Sequence, residues 1–508
     1  MAIIQAREGL STVLCEYVDR GALTAIQAIK VAQDIFFHTS NRLYELDLPM
    51  KPIEPINLLE TSTITSDKRW SVNFDQLRSF LRTQPSVRYL RLQWLDHTAM
   101  LRVRVLPIKQ ALGLFSSKKF ISIAQAVLGL LQNDVLCPGF SATLNYNLYP
   151  LFDSLRLGSR NGYATLQCEF QEESGEEVPL CPRTTLRKQV ETASAHNLSF
   201  LIGFEIEIVF MSSRVVDGEF RYGEMPVNGG GHAWSTARAL QQDNMMDLLE
   251  DIHTKLETAG IDLQQFHPES CPGQYEFILG PLPPLEAADT LLAAREIICS
   301  AAANADIRAT LYPKPVPTAA GSGAHIHISL TPDTHWQSFY AGILKHLRAI
   351  AAFTYPNDAS YERVVDKTWA GSTWIAWGTH NRETPLRRIE GSHFEIKCVD
   401  GLSNVYLVLA AMIGAGVQGV LDKDQLLIRD CISDPSSLSS EERKFIGITQ
   451  RFPEGIDEAL ICLEQDEELC KVLGKPVVDT YVIVKRTESA ILKEMHPEKR
   501  KNWLIERY

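Results

Sequence analysis

The chain has 508 residues, of which 45% are hydrophobic and 22% charged, as is ordinary for a globular protein that buries a large core. Its formal net charge of −12 argues against a general binder of the nucleic-acid backbone, for which a basic surface is expected. The length predicts two to four domains.

Three features of the sequence bear on the cellular compartment and on membrane association: the cysteines, the N-terminus and the longest apolar run. The ten cysteines include no C-x-x-C pair, which favours a reduced, cytoplasmic protein. The N-terminus reaches Arg7 and Glu8 before any apolar run develops, so we expect no secretory signal. The longest apolar run, Tyr406–Val420, is too short to span a membrane and contains Gly414 and Gly416. We therefore expect neither a membrane nor a nucleic-acid partner.

Pattern changes divide the chain into three parts. Residues 1–60 predict a helical extension over 1–47 followed by a proline-marked linker; the helices fit either a docking or oligomer element or an N-terminal layer. Residues 61–180 predict a small α/β or mostly β domain whose clearest feature is a hairpin of Val87–Leu95 and Leu101–Leu106. Residues 181–508 predict the larger domain.

The larger domain mixes strands and helices without the strict alternation of nucleotide-binding folds, which indicates an α+β class. Its C-terminal part, 439–508, reads as mostly helical. The predicted elements, in order, are a helix at Thr184–His196, a strand at Leu201–Phe210, a helix at Ala237–Ala259, a strand at Gln274–Leu279, a helix at Leu285–Asn304, a strand at Ala324–Leu330, a helix at Trp336–Phe353, a strand at Phe394–Cys398 and a helix at Ser403–Leu421.

The first of these strands places two carboxylates on one face. Glu205 and Glu207 alternate with apolar residues, so their Cα atoms lie roughly 6–7 Å apart on the same side. Such a pair is either a solvated acidic face or a cation site, because like charges this close repel each other.

Later stretches repeat the arrangement. HPESCPGQYEFIL contains Glu269 and Glu276, GSGAHIHISL contains His325 and His327, and HFEIKC contains Glu395. A strand histidine pair is compatible with a satisfied core pair, a zinc pair or a catalytic pair; structural zinc is disfavoured without a cysteine or an H-E-x-x-H helix. Converging carboxylates need cations, and oxygen-rich sites with an occasional imidazole suit Mg²⁺ or Mn²⁺.

Arginines supply the other half of a phosphate site. HNRETPLRR contains Arg382, Arg387 and Arg388, and Arg363 ends the stretch SYER. Guanidinium groups clamp phosphates and carboxylates in a bidentate manner, although each of these arginines is equally compatible with a surface position. The glycine-rich loops that usually cradle phosphates are absent from the sequence, so metals and arginines are expected to hold the phosphates.

Six motifs occur in the order found in the glutamine synthetase family, and the chain resembles that family over most of 85–420. Within it, the resemblance is to glutamine-synthetase-like proteins related to the C-terminal part of fungal FluG. The motifs are G-x-E-x-E at 203–207, PGQYE at 272–276, GSGAHIH at 321–327, SYER at 360–363, NRETPLR at 381–387 and EIK at 395–397.

The resemblance implies an N-terminal β-grasp domain and a C-terminal α/β catalytic domain with a curved antiparallel sheet. It also implies a homo-oligomeric ring, a decamer or dodecamer, with active sites between neighbouring subunits. In the family reaction, ATP phosphorylates a carboxylate and an amine then displaces the phosphate. Two or more Mg²⁺ or Mn²⁺ ions would be bound at each site.

The residue roles implied by the resemblance fall into three groups. Glu207, Glu269 and Glu276 would bind one ion, and Glu205, His325 and Glu395 the second. Arg382 and Arg387 would be catalytic and, with His327, Ser329 and His393, would bind the nucleotide. The substrate-binding residues would be Arg363, Gly321, Lys397 and Trp369.

Four positions depart from the family pattern. Ala320 replaces an asparagine that grips the substrate amino group, and Trp369 replaces the flap glutamate that helps to deprotonate ammonium. Lys397 and His393 replace arginines that hold the reacting carboxylate and the nucleotide. The metal and phosphate residues therefore match while the substrate residues differ.

These observations predict an ATP-dependent carbon–nitrogen ligase that forms a γ-glutamyl-type acyl phosphate and then an amide, with an amine other than ammonia as the expected acceptor. The alternative is a catalytically inactive, ring-forming scaffold. A third reading, a phosphotransferase of the ATP-grasp-like or guanidino-kinase kind, would give a stable phosphorylated product without an amide.

Overall fold

The structure is a computed structural model that describes residues 13–14, 31–32, 66–216, 218–225, 234–241 and 243–508. The predicted N-terminal helices and linker lie outside the described residues, except for residues 13–14 and 31–32, which are helical. The chain divides into two compact units, Met1–Arg69 and Trp70–Tyr508, and the site lies in the second. The predicted domain boundaries at residues 60 and 180 stay predictions.

A six-stranded sheet forms the first part of the second unit and confirms the predicted hairpin. Strands β1 and β2 pair antiparallel with Leu95 opposite Leu101, and β1 also runs parallel to β6. The strand order is β2-β1-β6-β4-β3, with β5 paired to β6. The elements are α1 (Ser66–Thr83), β1 (Tyr89–Leu95), β2 (Leu101–Pro107), α2 (Ile108–Ser116), β3 (Ile121–Ala124), β4 (Asn145–Pro150), β5 (Arg156–Leu157) and β6 (Tyr163–Gln171).

A nine-stranded sheet forms the framework of the second part. Its order is β13-β14-β15-β12-β7-β10-β9, and β8 and β11 also pair with β7. All pairs are antiparallel except β13 with β14, which run parallel and so depart from the predicted antiparallel sheet. The strands are β7 (Ser199–Val216), β8 (Glu219–Glu224), β9 (Leu263–Pro268), β10 (Gln274–Leu279), β11 (Ile307–Thr310), β12 (Ile326–Thr331), β13 (Trp377–Thr379), β14 (Leu386–Glu390) and β15 (His393–Ile396).

Helices cover this sheet and confirm the predicted α+β class. The single helix predicted over Ala237–Ala259 is instead a 3₁₀ turn at Ala237–Leu240 followed by a helix at Asp243–Thr258. The helices are α3 (Pro182–Ala195), α4 (Asp243–Thr258), α5 (Pro284–Asn304), α6 (Trp336–Thr354), α7 (Asp358–Arg363), α8 (Val405–Asp422), α9 (Ser440–Phe445), α10 (Ile456–Gln465), α11 (Glu467–Leu473), α12 (Lys475–Glu494) and α13 (Pro497–Arg507).

Helix α8 is the central core helix. Its N-cap Asn404 accepts hydrogen bonds from the backbone N–H groups of Tyr406 and Leu407, which satisfies donors that a helix start leaves unpaired. The expectation that this stretch is too short to span a membrane was wrong, because the 18-residue helix is apolar and long enough to cross one by length and composition. However, 78% of its apolar window is buried within the protein. Its apolar surface is therefore used in packing against α6 and α3.

Candidate active site

The site begins on β7, where alternate side chains face opposite sides of the sheet. Phe204, Ile206 and Ile208 are buried in the main hydrophobic core. Glu205 is half-buried and Glu207 buried between these residues in the sequence. The strand therefore has one face in the core and presents both carboxylates on the other, as the alternation predicted.

Strand register brings further ligands beside this pair. On one side, Glu276 of β10 lies opposite Glu207, and His267 of β9 lies opposite Glu276. On the other side, the backbone N–H of Glu205 donates to the carbonyl of His325 just before β12. Cross-strand neighbours have Cβ atoms about 5 Å apart, so functional groups on four strands meet above one face of the sheet.

The residues of the second predicted ligand set, Glu205, His325 and Glu395, lie together in the structure. His325 Nδ1 lies 2.8 Å from Glu205 Oε2 and 3.4 Å from Glu395 Oε1. Ligand atoms of these three residues all lie within 4.8 Å of one another. Two carboxylates and one imidazole at this separation form a donor set suited to a hard divalent cation.

The first predicted set is assembled differently. Glu207 and Glu276 group with His325, whereas Glu269 groups with Glu276 and with His267. Glu207 Oε2 also accepts hydrogen bonds of 2.7 Å from Gln274 Nε2 and from the backbone N–H of Gly323. The six predicted ligands therefore form one continuous cluster, called here the carboxylate shell: Glu205, Glu207, Glu269, Glu276, His325 and Glu395.

Basic side chains flank the carboxylate shell. Arg387 Nη1 donates to Glu395 Oε2 at 2.7 Å, and Lys397 Nζ donates to Glu395 Oε1 at 3.1 Å. Arg363 is 3% exposed, and its Nη2 lies 3.4 Å from His325 Nε2. Arg363 therefore places a permanent positive charge beside the carboxylate shell, and a guanidinium can hold an anionic group.

The glycines of the GSG motif permit this close packing. A Cβ atom at Gly321 would lie 2.4 Å from Arg363 Cγ, and one at Gly323 would lie 2.6 Å from Arg363 Nη2 and 2.7 Å from His325 Nε2. Any larger residue would displace the guanidinium or the imidazole. The motif is therefore a steric requirement of the site.

Two carboxylates of the carboxylate shell, Glu205 and Glu395, form its inner half and are strongly ionised. Burial would raise the pKa of Glu205, but hydrogen bonds from His325 and His327 outweigh it and hold the pKa well below its ordinary value. Burial also opposes ionisation of Glu395, yet the charges of Lys397 and His325 lower its pKa to about 2. This half carries its negative charge at neutral pH.

Two other carboxylates, Glu276 and Glu269, form the outer half of the carboxylate shell and resist ionisation. Burial and the charges of Glu205 and Glu207 raise the pKa of Glu276 to about 8, although a hydrogen bond from His267 opposes them. Burial and the charge of Glu207 raise the pKa of Glu269 to about 7. Because added positive charge would relieve this repulsion, the carboxylate shell fits divalent cations by its electrostatics as well as by its donor atoms.

A cavity of about 390 Å³ opens above the carboxylate shell. Part of its wall is exposed: Trp234 and Trp369 are 57% and 61% exposed. Trp369 has a φ of +57°, an unusual conformation for a bulky residue. The lining is Glu205, Glu207, Trp234, Gln265, His267, Glu269, Ser270, Glu276, Ile278, Ala320, Gly321, His325, Arg363, Thr368, Trp369, Ala370, Arg382, Arg387 and Lys397.

The remaining predicted residues lie at the edge of this cluster. His327 Nε2 is 2.9 Å from Glu205 Oε1, and His327 Nδ1 is 2.8 Å from His393 Nε2. Burial and the neighbouring His327 lower the pKa of His393. Ser329 lies further along β12, half-buried, opposite Leu201. These residues and Glu395 are outside the cavity lining formed by the described residues.

Several residues of the cavity lining, among them His267 and Trp234, were not predicted from the sequence. His267 lies two residues before Glu269 in the stretch HPE, and this proximity of two possible ligands in the sequence was the signal that could have found it. Trp234 packs edge-on against His267, with ring centroids 6.1 Å apart, and the Arg382 guanidinium lies 6.0 Å from the Trp234 ring centroid. Trp234 adjoins no recognised motif, so the sequence offered no comparable signal for it.

Comparison with known proteins agrees with this geometry. The family model described as the glutamine synthetase catalytic domain matches residues 179–508. Protein fluG of Emericella nidulans is 40% identical over 99% of this chain, and the match spans 58% of that protein. The gamma-glutamylpolyamine synthetase of Streptomyces coelicolor is 30% identical over 67% of this chain and 76% of its own length.

Solved structures give the same fold. A crystal structure described as a novel glutamine synthase homolog has a TM-score of 0.69 and 25% identity, and the match covers 83% of this chain and 99% of that one. An ADP complex of GmaS has a TM-score of 0.70 at 20% identity, covering 85% of this chain and 99% of that one. The curled sheet with its helices is thus the catalytic fold of this family, and the chain belongs to the glutamine synthetase family.

Proposed function

We propose that the protein is an ATP-dependent ligase that joins a carboxylate to an amine. The observation that carries this proposal is the convergence of five predicted metal ligands with Arg363, Arg382, Arg387 and Lys397 around one cavity. The sixth, Glu395, lies outside the lining and is hydrogen-bonded to Arg387 and Lys397. Such a site combines cation ligands with groups that hold phosphate and carboxylate. Family relatives named as glutamine synthetases and as a gamma-glutamylpolyamine synthetase support the same reaction class.

In the proposed reaction, a substrate carboxylate oxygen attacks the γ-phosphorus of ATP and ADP leaves, which gives an acyl phosphate, γ-glutamyl in type. The amine nitrogen then attacks the acyl carbon, phosphate leaves, and the nitrogen loses a proton to a base. Mg²⁺ or Mn²⁺ ions held by the carboxylate shell would neutralise the phosphate charge when bound. Arg382 and Arg387 would stabilise the transferring phosphoryl group, and Arg363 the carboxylate of the substrate.

His327, His393 and Ser329 are proposed to contact the nucleotide, and Gly321 and Lys397 the acid substrate. His327 and His393 support this role because they extend the cluster along β12 and β15, beyond the cavity. Lys397 supports it because its ammonium is already held beside Glu395 and His325, 3.5 Å from His325 Nε2.

The acceptor is proposed to be an amine larger than ammonia. Trp369 stands where the family has a carboxylate, and its exposed indole lines the cavity together with Thr368 and Ala370. An indole contributes apolar contact and a face for a cation, whereas a carboxylate attracts ammonium.

Incubation of the full chain with ATP, Mg²⁺ and pooled acids and amines tests the proposal. We expect phosphate release coupled to a new amide mass. Phosphate release with a stable phosphorylated acid and no amide would favour a phosphotransferase. No turnover across the pool, with nucleotide still bound, would overturn the ligase.

A second candidate is a catalytically inactive scaffold, which one observation favours. The ammonium of Lys397 contacts both Glu395 and His325, so this chain supplies an internal cation beside the ligand set. In that case, the carboxylate shell would be partly neutralised without any metal ion. Turnover, rather than nucleotide binding, separates the two candidates.

The domain assignment, the oligomeric state, the partners and the cellular location of the protein are also proposals. The six-stranded sheet supports assignment of its region as the family's β-grasp domain, and family membership supports a homo-oligomeric ring, a decamer or dodecamer. The net charge of −12 supports the absence of a nucleic-acid partner. We also propose a cytoplasmic location without a membrane partner, supported by the scattered cysteines and by the burial of α8.

A further inference from the structure

We infer that His267 is a positioning residue of the carboxylate shell, which orients the carboxylate of Glu276 for a divalent cation. This inference rests on the proposed function, because it gives the cation site a component that no family motif in this chain contains.

The contacts of His267 hold its ring in one orientation. His267 Nε2 lies 3.0 Å from Glu276 Oε1, and Nδ1 lies 3.2 Å from the carbonyl oxygen of Pro268. Glu269 Oε1 is 3.8 Å from Nδ1, and the indole of Trp234 packs edge-on against the ring. The imidazole side chain is 21% exposed, so it lines the cavity while remaining largely enclosed.

Register explains why this contact acts on the cation site. Glu276 lies between Glu207 on β7 and His267 on β9, and each is its direct cross-strand neighbour. A hydrogen bond to Oε1 leaves Oε2 of Glu276 available to a cation. Carboxylate ligands that are fixed in this way lose metal affinity when the supporting hydrogen bond is removed.

The role of His267 Nε2 as hydrogen-bond donor to Glu276 can be tested by substitutions that keep or remove a donor at that position. The side-chain amide of glutamine can reach the position of Nε2, whereas that of asparagine reaches only the position of Nδ1. We therefore expect His267→Gln to keep the hydrogen bond to Glu276, and His267→Asn and His267→Ala to lose it. The exposed His196, at the end of α3, provides a matched control as His196→Gln.

The experiment is calorimetric titration of Mn²⁺ into the metal-free full chain, without nucleotide. We expect His267→Ala and His267→Asn to weaken binding by about 10- to 100-fold and His267→Gln by less than about tenfold. His196→Gln should bind as the wild type does. Thermal unfolding of each metal-free variant separates a folding defect from a binding defect.

Three results would overturn the inference. Equal Mn²⁺ affinity in all variants would make His267 merely structural. Equal losses in the glutamine and alanine variants would make its imidazole a direct ligand. Tighter binding in the alanine variant would show that the imidazole opposes the cation. If alanine does not fold, the comparison of glutamine with asparagine carries the same test.

The ligase proposal and the positioning role of His267 can fail independently of each other. If the wild type binds Mn²⁺ and the variants rank as expected but no amide forms in the ligase assay, only the ligase is wrong. A wild type that binds no Mn²⁺ would overturn the positioning role and the metal sites together.

Discussion

The carboxylate shell and the exposed wall of the cavity, formed by Trp234, Thr368 and Trp369, are built on different supports. The carboxylate shell stands on paired strands, and its groups are held by cross-strand register, glycine clearance and hydrogen bonds shorter than 3.5 Å. In the exposed wall, Trp369 belongs to a loop with several positive φ angles, including +66° at Lys367 and +68° at Ser372. The comparison teaches that the proposed cation ligands stand on paired strands, whereas the proposed acceptor subsite stands on a loop, where substitutions are more readily tolerated.

The largest expected effect breaks the carboxylate shell. Glu276→Ala removes a proposed metal ligand that lies between Glu207 and His267, and ADP release should fall by at least about 100-fold. The measurement is a coupled ADP assay at saturating ATP. Glu173→Ala, in an exposed acidic loop, should leave the rate unchanged. Normal ADP release, or a loss of the native assembled size, would show that Glu276 is not a metal ligand.

The next effect concerns pH. Because the folded pKa values of Glu276 and Glu269, about 8 and 7, lie above the ordinary value of 4.5, the folded protein binds more protons than the unfolded chain in this range. Their contribution to stability is complete below about pH 4.5 and is lost progressively as the pH rises through the two folded pKa values. The hydrogen bond to Glu276 raises the pKa of His267 to about 9, and the two side chains titrate as a pair.

Thermal unfolding of metal-free protein measures this pH effect. We expect the melting temperature to fall between about pH 5 and 8 in a chelator, and saturating Mg²⁺ to reduce the slope because it favours the ionised carboxylates. Glu276→Gln should also reduce the slope. The same pH dependence in the wild type and in Glu276→Gln would contradict the electrostatic account of the carboxylate shell.

A smaller effect is expected from a substitution that tests whether Trp369, in the exposed wall, selects the acceptor amine. Trp369→Glu restores the carboxylate of the family pattern, and the preference for ammonium over a larger amine should rise by about tenfold, or ~1.4 kcal/mol. Competition between the two amines, followed by product mass, measures the ratio. Lys367→Glu adds a carboxylate two residues away, outside the cavity lining of the described residues, and should leave the ratio unchanged. An unchanged ratio in Trp369→Glu would mean that Trp369 does not select the acceptor.

The smallest effect tests strain in the loop. Trp369→Gly should stabilise the fold by about 1 kcal/mol because glycine adopts a φ of +57° without steric cost. Lys367→Gly, at a φ of +66°, should give a similar gain without changing acceptor preference. Chemical denaturation measures both. Destabilisation by Trp369→Gly would show that the indole contributes packing rather than specificity.

Period-two patterns located most of the carboxylate shell, because alternation in a strand decides which side chains share a face. The strands at Gln274–Leu279 and around Glu205 were confirmed in this way. Their pairing could not be read from one sequence, since register depends on residues far apart in the chain. The place of His267 beside Glu276 arises from the β9–β10 register, and this explains why it was missed. The contact of Lys397 with His325 depends in the same way on β12 and β15 lying side by side.

The central claim, that a family-type carboxylate shell serves a changed acceptor subsite, is tested most directly by one competition experiment. The wild-type chain would receive ATP, Mg²⁺, glutamate and equal concentrations of ammonium and a set of larger primary amines. The account predicts ADP release together with amides of a larger amine as the main products. Glutamine as the main product, or no ADP release with any amine, would contradict it.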